Sequence, residues 1–499
     1  MKKVIVIGGG VAGLSTGIYL QMNGYQTEII EKNSIVGGAC VGWERKGFYI
    51  DGCIHWLTGV NPKDPLYKLW RETNALTNDT EVFYQNELTK YVYDGKELFT
   101  IYADPRKLEQ SLIDFAPEDA KEIKKFIRLI KKFSTVNPPC DKPVELMNLW
   151  DLIKVAFTLG GKYPLISKTS KMSCKDFSKR FKNEYLRDVF EHFMAPNYNF
   201  MSMLYMLGHI TEKDGGIPYG GSLALSERME SYFVELGGIM TKNTEVSKII
   251  IENNTAKGVT LNNGTNLYAD WVVSTTPVEH CLNDLLGGDY YDKKFQLRLD
   301  DEYTYPIYTY TLAVIKCPTC VKEKSLSVNV KLDDEILLDQ NYNRISFRNY
   351  SYDPVKAPKD FFTIQACIHG NDDMYRWWKN KKANGNYKET KKQIGEKFLE
   401  IAKTVYPDVA DSLEVIDVIT PCTYERFLNS RHGSFQGFIH TSKGKALMHN
   451  GRIKNLKNFI LAGQWLIRSG GLPTAVMSGR FSAQRICHSD KKKFVVLEK

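Results

Sequence analysis

Residues 4–13 read VIVIGGGVAG, and this stretch constrains the fold of the chain more than any other. The run Val4–Ile7 is apolar and β-branched, which is typical of a strand buried on both faces of a parallel sheet. Residues 14–20 have helical spacing, and Gly24 is placed to end that helix. The stretch therefore predicts a strand, a glycine-rich turn and a helix.

Each glycine of this turn has a physical task in binding a dinucleotide. Gly8 permits the tight turn, Gly10 lets the backbone approach a pyrophosphate, and Gly13 lets the helix pack on the strand. A second apolar strand over residues 26–30 closes at Glu31, whose carboxylate is suited to accept hydrogen bonds from ribose hydroxyls. The spacing predicts a dinucleotide site.

Composition places the chain among ordinary globular proteins. Lys and Arg (67) exceed Asp and Glu (58), but the excess is spread along the chain, so nucleic-acid binding is not expected. No apolar run approaches the ~20 residues that span a bilayer, and residues 1–10 do not read as a secretory signal. We expect a cytoplasmic protein with reduced cysteines, and peripheral membrane contact stays open.

Two further glycine motifs bear on which dinucleotide is bound. Gly37–Gly38 follows soon after Glu31, as in large flavoproteins, where such a pair lets the chain run along the extended FAD. Residues 459–487 read as a buried strand, a glycine loop and a helix, which would present another helix amino end to a ligand. The predicted cofactor is FAD.

With these motifs the chain resembles the FAD-dependent amine oxidase and phytoene desaturase group, and within it the carotenoid isomerase and retinol saturase branch. The resemblance covers nearly the whole chain and rests on GGACVGWERKGFYIDGCIHWLTG, GGIPYGGSLALSERMESYFVELGG and FILAGQWLIRSGGLPTAVMSGRFSAQRI. Ala39 stands where many relatives have Arg, Cys53 where a glycine is usual, and Gln464 where many flavoproteins have Asp.

The resemblance implies an α/β fold, with a Rossmann-type FAD-binding domain and an inserted α+β substrate domain. The FAD-binding domain is expected to combine residues 1–75, 213–285 and 441–499. The substrate domain is expected to combine residues 76–212 and 286–440.

The glycine pattern and the resemblance together predict one set of cofactor-binding residues. The set comprises Gly8, Gly10, Val11, Ala12, Gly13, Glu31, Lys32, Gly37, Gly38, Ala39, Val246, Thr275, Gly463, Gln464, Gly471, Leu472, Pro473 and Thr474.

Two kinds of segment in the inserted blocks bear on the substrate. Residues 190–209 carry three Phe, two Tyr and four Met, which suits either core packing or a long apolar channel. The resemblance favours a channel for an apolar small molecule. Residues 119–133 and 146–159 could lie on a membrane surface, although an ordinary domain helix with a solvated basic face explains the first equally well.

The catalytic residues are predicted from the resemblance. His55 is the first candidate, because the family-like stretch places it near the flavin, and Glu425 and Arg426 are second. No second glycine fingerprint for a nicotinamide dinucleotide is present, so electrons leave to oxygen, a quinone or another carrier, or the flavin cycles without net redox.

The sequence thus predicts an FAD-dependent oxidoreductase that desaturates, saturates or isomerises C=C bonds of an isoprenoid, carotenoid-like, retinoid-like or other lipid substrate. Two alternatives stay open. One is an amine oxidase-type flavoprotein acting on a polar amine. The other is a prenyl-binding protein of the GDP dissociation inhibitor type, although such proteins are expected to lack the intact fingerprint found here.

Overall fold

The structure is a computed structural model that describes residues 1–299, 301, 309–333, 342–353, 356–444, 447–467 and 470–497. Arg468 and Ser469, which belong to the predicted carboxy-terminal glycine motif, lie outside the described residues. The described chain folds into a parallel sheet with helices, a large mixed sheet, and smaller antiparallel sheets between them.

The strands follow in chain order. They are β1 Lys3–Ile7, β2 Gln26–Ile30, β3 Gly42–Arg45, β4 Phe48–Asp51, β5 Leu57–Thr58, β6 Val82–Phe83, β7 Glu87–Tyr93, β8 Lys96–Tyr102, β9 Gly215–Pro218, β10 Ile239–Thr241, β11 Val246–Glu252, β12 Thr255–Leu261, β13 Asn266–Tyr268, β14 Trp271–Ser274, β15 Thr309–Pro318, β16 Ser327–Lys331, β17 Arg344–Asn349, β18 Phe361–Gly370, β19 Glu414–Ile419 and β20 Phe459–Leu461.

The helices are interspersed between these strands. They are α1 Val11–Met22, α2 Pro65–Glu72, α3 Pro105–Phe115, α4 Ala120–Phe133, α5 Leu149–Gly160, α6 Tyr163–Ser170, α7 Cys174–Ser178, α8 Glu184–His192, α9 Phe200–Thr211, α10 Gly221–Glu235, α11 Val278–His280, α12 Lys293–Leu299, α13 Asp372–Ala383, α14 Tyr387–Val405, α15 Pro421–Leu428 and α16 Gly471–Ser489.

The parallel sheet has the strand order β10-β2-β1-β14-β20, and every neighbouring pair in it is parallel. Val4, Ile5 and Val6 are fully buried in its centre, as their apolar β-branched side chains predict. Helix α1 follows β1 and ends at Met22, and Gly24 takes the left-handed conformation two residues later. The predicted α/β fold is confirmed.

The large sheet has the order β19-β15-β18-β17-β16-β7-β8 and is antiparallel apart from the β16–β7 pair. Its strands come from residues 87–102 and 309–419, whereas the parallel sheet takes its strands from residues 3–30, 239–274 and 459–461. This alternation follows the predicted segment order, and the domain boundaries themselves stay a prediction.

Helix α4 settles one of the open alternatives. Its apolar residues Ile123, Phe126, Ile127 and Ile130 are at most 1 % exposed, in a core shared with α7, α8 and α9. The helix is an ordinary domain helix with a solvated basic face. Among the residues that the structure describes, no helix combines the length and apolarity needed to cross a bilayer.

Candidate cofactor and substrate site

A cavity of about 910 Å³ begins at the carboxyl edge of the parallel sheet and extends to the large mixed sheet. At the parallel sheet its wall is formed by the residues within two positions after the ends of β1, β2, β14 and β20, namely Gly8, Glu31, Thr275 and Gly463. Ligands of open α/β sheets bind outside the carboxyl ends of the strands, so this is the expected place for a nucleotide.

The turn after β1 is fixed by its glycines and by one hydroxyl. Gly8 has a φ of +100°, and a Cβ built on Gly13 would lie 2.0 Å from the Gly8 carbonyl oxygen. The Thr275 hydroxyl lies 2.9 Å from the carbonyl oxygen of Ile7 and 3.0 Å from that of Gly8. Gly10 lines the cavity, whereas Gly13 lies behind its wall and lets α1 approach β1.

Two helix amino ends meet at the cavity. The first turn of α1 contributes Val11 and Ala12, and the first turn of α16 contributes its residues 471–474. The residues preceding these helices, Gly10 and Gly470, have no side chain that could cap them, and in α16 only the Gly471 amide is bound by a described side chain, that of Gln464. Both ends therefore present backbone amides and a partial positive charge to the cavity, which suits phosphate and carbonyl oxygens.

Glu31 is held rigidly at the end of β2. One carboxylate oxygen accepts from the Gly9 amide at 2.7 Å, and the other accepts from the backbone and side-chain nitrogens of Asn33 at 2.8 Å. The side chain is buried, and its oxygens keep lone pairs for further donors. This geometry suits a pair of ribose hydroxyls.

The neighbouring Lys32 is engaged elsewhere. Its ammonium donates to the Arg426 carbonyl oxygen at 2.9 Å and to the side chain of Asn429, and burial lowers its pKa. Lys32 lines the cavity, and its ammonium is held by the carboxyl end of α15.

The second glycine pair docks on the first turn. The Gly37 amide donates to the Gly9 carbonyl oxygen at 2.8 Å, and Gly37 and Gly38 both have positive φ angles. A Cβ on Gly37 would lie 2.1 Å from the Cys40 carbonyl oxygen, so glycine is required there. Gly37, Gly38 and Ala39 line the cavity beside Gly10.

The other predicted cofactor residues also face this end of the cavity. Val246, the first residue of β11, lines it together with Thr244. The Gln464 side chain accepts from the Gly471 amide at 3.0 Å and donates to the Phe435 carbonyl oxygen at 3.2 Å. Gln464 thus connects the start of α16 to Phe435, which also lines the cavity.

His55 lies farther along the cavity, on a turn organised by Asp51. The buried Asp51 carboxylate accepts from the amides of Cys53 and Ile54 and from the hydroxyl and amide of Ser222. The Nη1 of Arg348 lies 3.3 Å from Nδ1 of His55, and a guanidinium can only donate. His55 is therefore a neutral acceptor at this nitrogen.

Burial lowers the pKa of His55 well below its usual value, and the charge of Arg348 and the nearby His369 lower it further. Burial, and after it the charge of Arg348, lowers the pKa of His369 to about 3. Both histidines are neutral around pH 7, next to a permanent guanidinium charge.

Arg348, His369 and Tyr310 are site residues that sequence reasoning missed. They come from β17, β18 and β15, and all of them line the cavity with His55. The Tyr310 hydroxyl donates to the Gly52 carbonyl oxygen at 3.1 Å, which connects the sheet to the turn that carries His55. Only the pairing of three distant strands brings them together, so no local motif could have found them.

The remaining wall of the cavity is mainly apolar. Residues 190–209 divide between a core and the cavity wall, and their use as a substrate channel stays a prediction. Phe190, Phe200, Met203 and Leu204 are buried in a core. Their neighbours line the cavity, namely Phe193, Met194, Tyr198, Met201, Ser202, Tyr205 and Met206.

Glu425 and Arg426, the second candidates for catalysis, do not line this cavity among the described residues. The Glu425 carboxylate pairs with the Lys379 ammonium at 3.0 Å and accepts from the Tyr375 hydroxyl. The Arg426 guanidinium stacks on Phe427 at 4.5 Å. Both make contacts at the surface of α15 outside the cavity, and a part for them in the reaction stays an untested prediction.

Comparison with known proteins agrees with this geometry. The family described as flavin containing amine oxidoreductase matches residues 11–487. The chain belongs to this family. It is 24% identical over 502 residues to a lycopene-forming phytoene desaturase of Paracoccus sp., covering 97% of each chain. It is 23% identical over 514 residues to a 4,4'-diapophytoene desaturase of Methylomonas sp., covering 99% of this chain and 96% of that one.

The fold is similar to that of cyclohexylamine oxidase from Brevibacterium oxydans. The TM-score is 0.60 at 14% identity, over 98% of this chain and 100% of the other. The family identifies the protein as an FAD-dependent oxidoreductase of the general desaturase type, and not as a prenyl-binding protein without catalysis. Its cofactor is FAD.

Proposed function

We propose that the protein desaturates, saturates or isomerises C=C bonds of an apolar isoprenoid by exchange of a hydride with FAD. One observation carries the proposal: the nucleotide end and the apolar wall belong to a single cavity, so the cofactor and a long apolar molecule would share it. The names of the phytoene and diapophytoene desaturases among the relatives support the same substrate class.

The predicted residues fit FAD in chemical type. In the proposed arrangement Glu31 accepts from the ribose, the amides of Val11 and Ala12 face the pyrophosphate, and the backbone at Val246 meets the adenine end. The amino end of α16 then faces a flavin carbonyl oxygen, where a partial positive charge is favourable. Gly8, Gly10 and Gly37 line this end of the cavity, and in the proposed arrangement their backbone lies against the cofactor.

FAD supplies the hydride acceptor or donor, and the chain's own residues orient the substrate and exclude water. The Met and aromatic side chains of residues 190–209 provide an adaptable apolar wall for a polyene. Loss of hydride from a polyene makes a neighbouring C–H acidic, so a weak base is sufficient to take the proton. We assign that role to Nδ1 of His55, which burial and Arg348 keep unprotonated, and which takes the proton once the Arg348 N–H turns away from it.

The electron balance of the reaction depends on the direction of hydride transfer between substrate and flavin. Desaturation removes one hydride and one proton from adjacent carbons, and the two electrons then pass to oxygen, a quinone or another carrier. Saturation reverses this and needs an external reductant. Isomerisation returns the hydride to the polyene and needs neither.

A polar amine fits the cavity less well. Apart from Glu31 and Glu245 at the nucleotide end, no described acidic residue lines the wall, and the far end holds the guanidinium of Arg348. A protonated amine would meet a like charge there without a carboxylate to bind it. The charges of the cavity therefore favour the apolar substrate.

Product analysis tests the proposal. Phytoene, 4,4'-diapophytoene and their partly desaturated derivatives are incubated with the purified holoenzyme and an added quinone or oxygen, beside a series of primary amines. We expect a polyene that loses or gains two hydrogens, or changes its isomer composition, and no aldehyde from the amines. Aldehyde formation with unchanged polyenes would establish the amine alternative instead.

A further inference from the structure

Helix α5 presents an apolar surface to solvent. Leu149, Trp150 and Phe157 are 71%, 77% and 86% exposed, and no residue of the helix is buried. The adjoining α6 adds Tyr163 at its first position, 67% exposed. We name these exposed side chains the α5–α6 face, which comprises Leu149, Trp150, Leu152, Ile153, Phe157 and Tyr163.

The helix that carries this face is well defined at its start. Asn148 accepts from the Asp151 amide at 2.9 Å, and Asp151 accepts in return from the Asn148 amide at 3.0 Å, which is a capping box. The Lys142 ammonium holds the Asp151 carboxylate at 2.8 Å. The apolar side chains are thus presented by a capped helix, and contiguous exposed apolar surface of this kind marks an interaction site.

The charges around the face indicate what it contacts. Residues 149–171 contain four lysines, at positions 154, 162, 168 and 171, and a single acidic residue, Asp151, which Lys142 already neutralises. Trp and Tyr beside Lys are the side chains that settle at the boundary between lipid headgroups and acyl chains. A second copy docked on the same face would bring these lysines against one another, which is unfavourable.

The helices that carry the face also contribute to the cavity wall. Leu159 in the last turn of α5 and Ile166 in α6 line the cavity wall, a few residues from the exposed Phe157 and Tyr163. The same two helices therefore contact solvent with one side and the proposed substrate space with the other.

We propose that the α5–α6 face docks on an anionic bilayer surface, and that an apolar substrate passes from the bilayer into the cavity beside Leu159 and Ile166. The docking stands on the exposed face and its lysines, and the passage of substrate rests on the proposed function. The helix inserts to the depth of its exposed side chains, because α5 is too short to span the ~30 Å apolar layer.

Vesicle binding of the holoenzyme tests the docking. The wild type, the double variant Trp150→Ser/Phe157→Ser and the control Tyr268→Ser are sedimented with phosphatidylcholine vesicles, with and without ~30% phosphatidylglycerol. Tyr268 on β13 is 59% exposed, so its substitution by Ser removes exposed aromatic surface as the double variant does, but away from the α5–α6 face. FAD content and melting temperature verify that all three proteins are folded.

We expect the wild type and the control to bind the anionic vesicles, more weakly at high salt, and the double variant to bind at least ~10-fold more weakly. Equal binding of the double variant, or no binding of the wild type at low salt, would overturn the docking. A wild-type dimer in solution that the double variant abolishes, without vesicle binding, would identify a second copy as the occupant and would overturn it as well.

Turnover separates this inference from the proposed function. The double variant should convert a detergent-dispersed polyene as the wild type does, and should lose most of its rate when the polyene is embedded in vesicles. Vesicle binding without conversion in either form would leave the docking standing and refute the proposed function. Equal rates of both proteins on the embedded polyene would refute the passage of substrate across this face.

Discussion

Substitution Gly13→Ala should release FAD, because the added methyl group separates α1 from β1. The new Cβ would lie 2.0 Å from the Gly8 carbonyl oxygen and 3.1 Å from its carbon. Cβ atoms essentially never come closer than 3.0 Å, so the amino end of α1 must shift by about 1 Å. The backbone on both sides of this contact cannot rotate away, unlike a flexible side chain.

Two effects of different size follow. Overpacking of this kind costs about 1–3 kcal/mol of unfolding free energy, with or without cofactor. The shift also moves the amides of Val11 and Ala12 away from the pyrophosphate, and weakening one charge-assisted hydrogen bond by about 1.5 kcal/mol raises the Kd for FAD about 10-fold. We therefore expect a Kd increase of at least about 10-fold on top of the loss of stability.

Apoprotein titrated with FAD, followed by quenching of flavin fluorescence, gives the Kd, and urea unfolding without FAD gives the stability. Gly160→Ala is the matched control, since a Cβ there meets nothing within 4 Å and α5 is remote from the turn in sequence. An unchanged Kd in Gly13→Ala, with stability reduced or not, would refute the placement of the pyrophosphate at this turn.

Three further predictions concern the far end of the cavity. His55→Phe should keep FAD and lose about 10²-fold in turnover of a polyene, and an unchanged rate measured by product analysis would remove His55 from the reaction. Arg348→Met should raise the pKa of His55 toward its ordinary value, so that kcat/KM falls with decreasing pH between 7 and 5, whereas Arg348→Lys should leave the profile flat; identical profiles would contradict the electrostatic role of Arg348. The pKa of His369 is about 3 in the folded protein and about 6.5 when unfolded, so the folded state binds fewer protons and stability falls as pH drops below about 6.5. At pH 5.5 this loss is about 1.4 kcal/mol relative to high pH, and urea unfolding of His369→Leu should show a pH dependence reduced by that amount.

The nucleotide end of the site was predictable because its determinants are local. Each determinant lies in one short segment, where the local residue pattern predicts the backbone geometry. These segments are the glycines of the β1–α1 turn, the acidic residue that follows β2, and the loop before α16. Lys32 shows the limit of this reasoning, since its ammonium is bound by residues almost 400 positions away.

The substrate end depended on long-range pairing and could not be read from local pattern. Helix α15 shows why local pattern does not place Glu425: the Tyr424 hydroxyl contacts the Tyr310 hydroxyl, whereas the next residue, about 100° further round the helix, pairs with Lys379. Helices α4 and α5 are both rich in apolar residues, but the apolar residues of α4 are buried in a core, whereas no residue of α5 is buried. Hydropathy does not tell whether an apolar face has a partner, because that depends on packing elsewhere in the chain.

Anaerobic mixing of the oxidised holoenzyme with a phytoene-type polyene in lipid vesicles tests the central claim most directly. The account predicts that the flavin absorbance near ~450 nm disappears in step with the appearance of a longer polyene chromophore, or, for an isomerase, that the isomer composition changes while the flavin stays oxidised. A flavin that primary amines reduce, while every polyene is recovered unchanged, would contradict it.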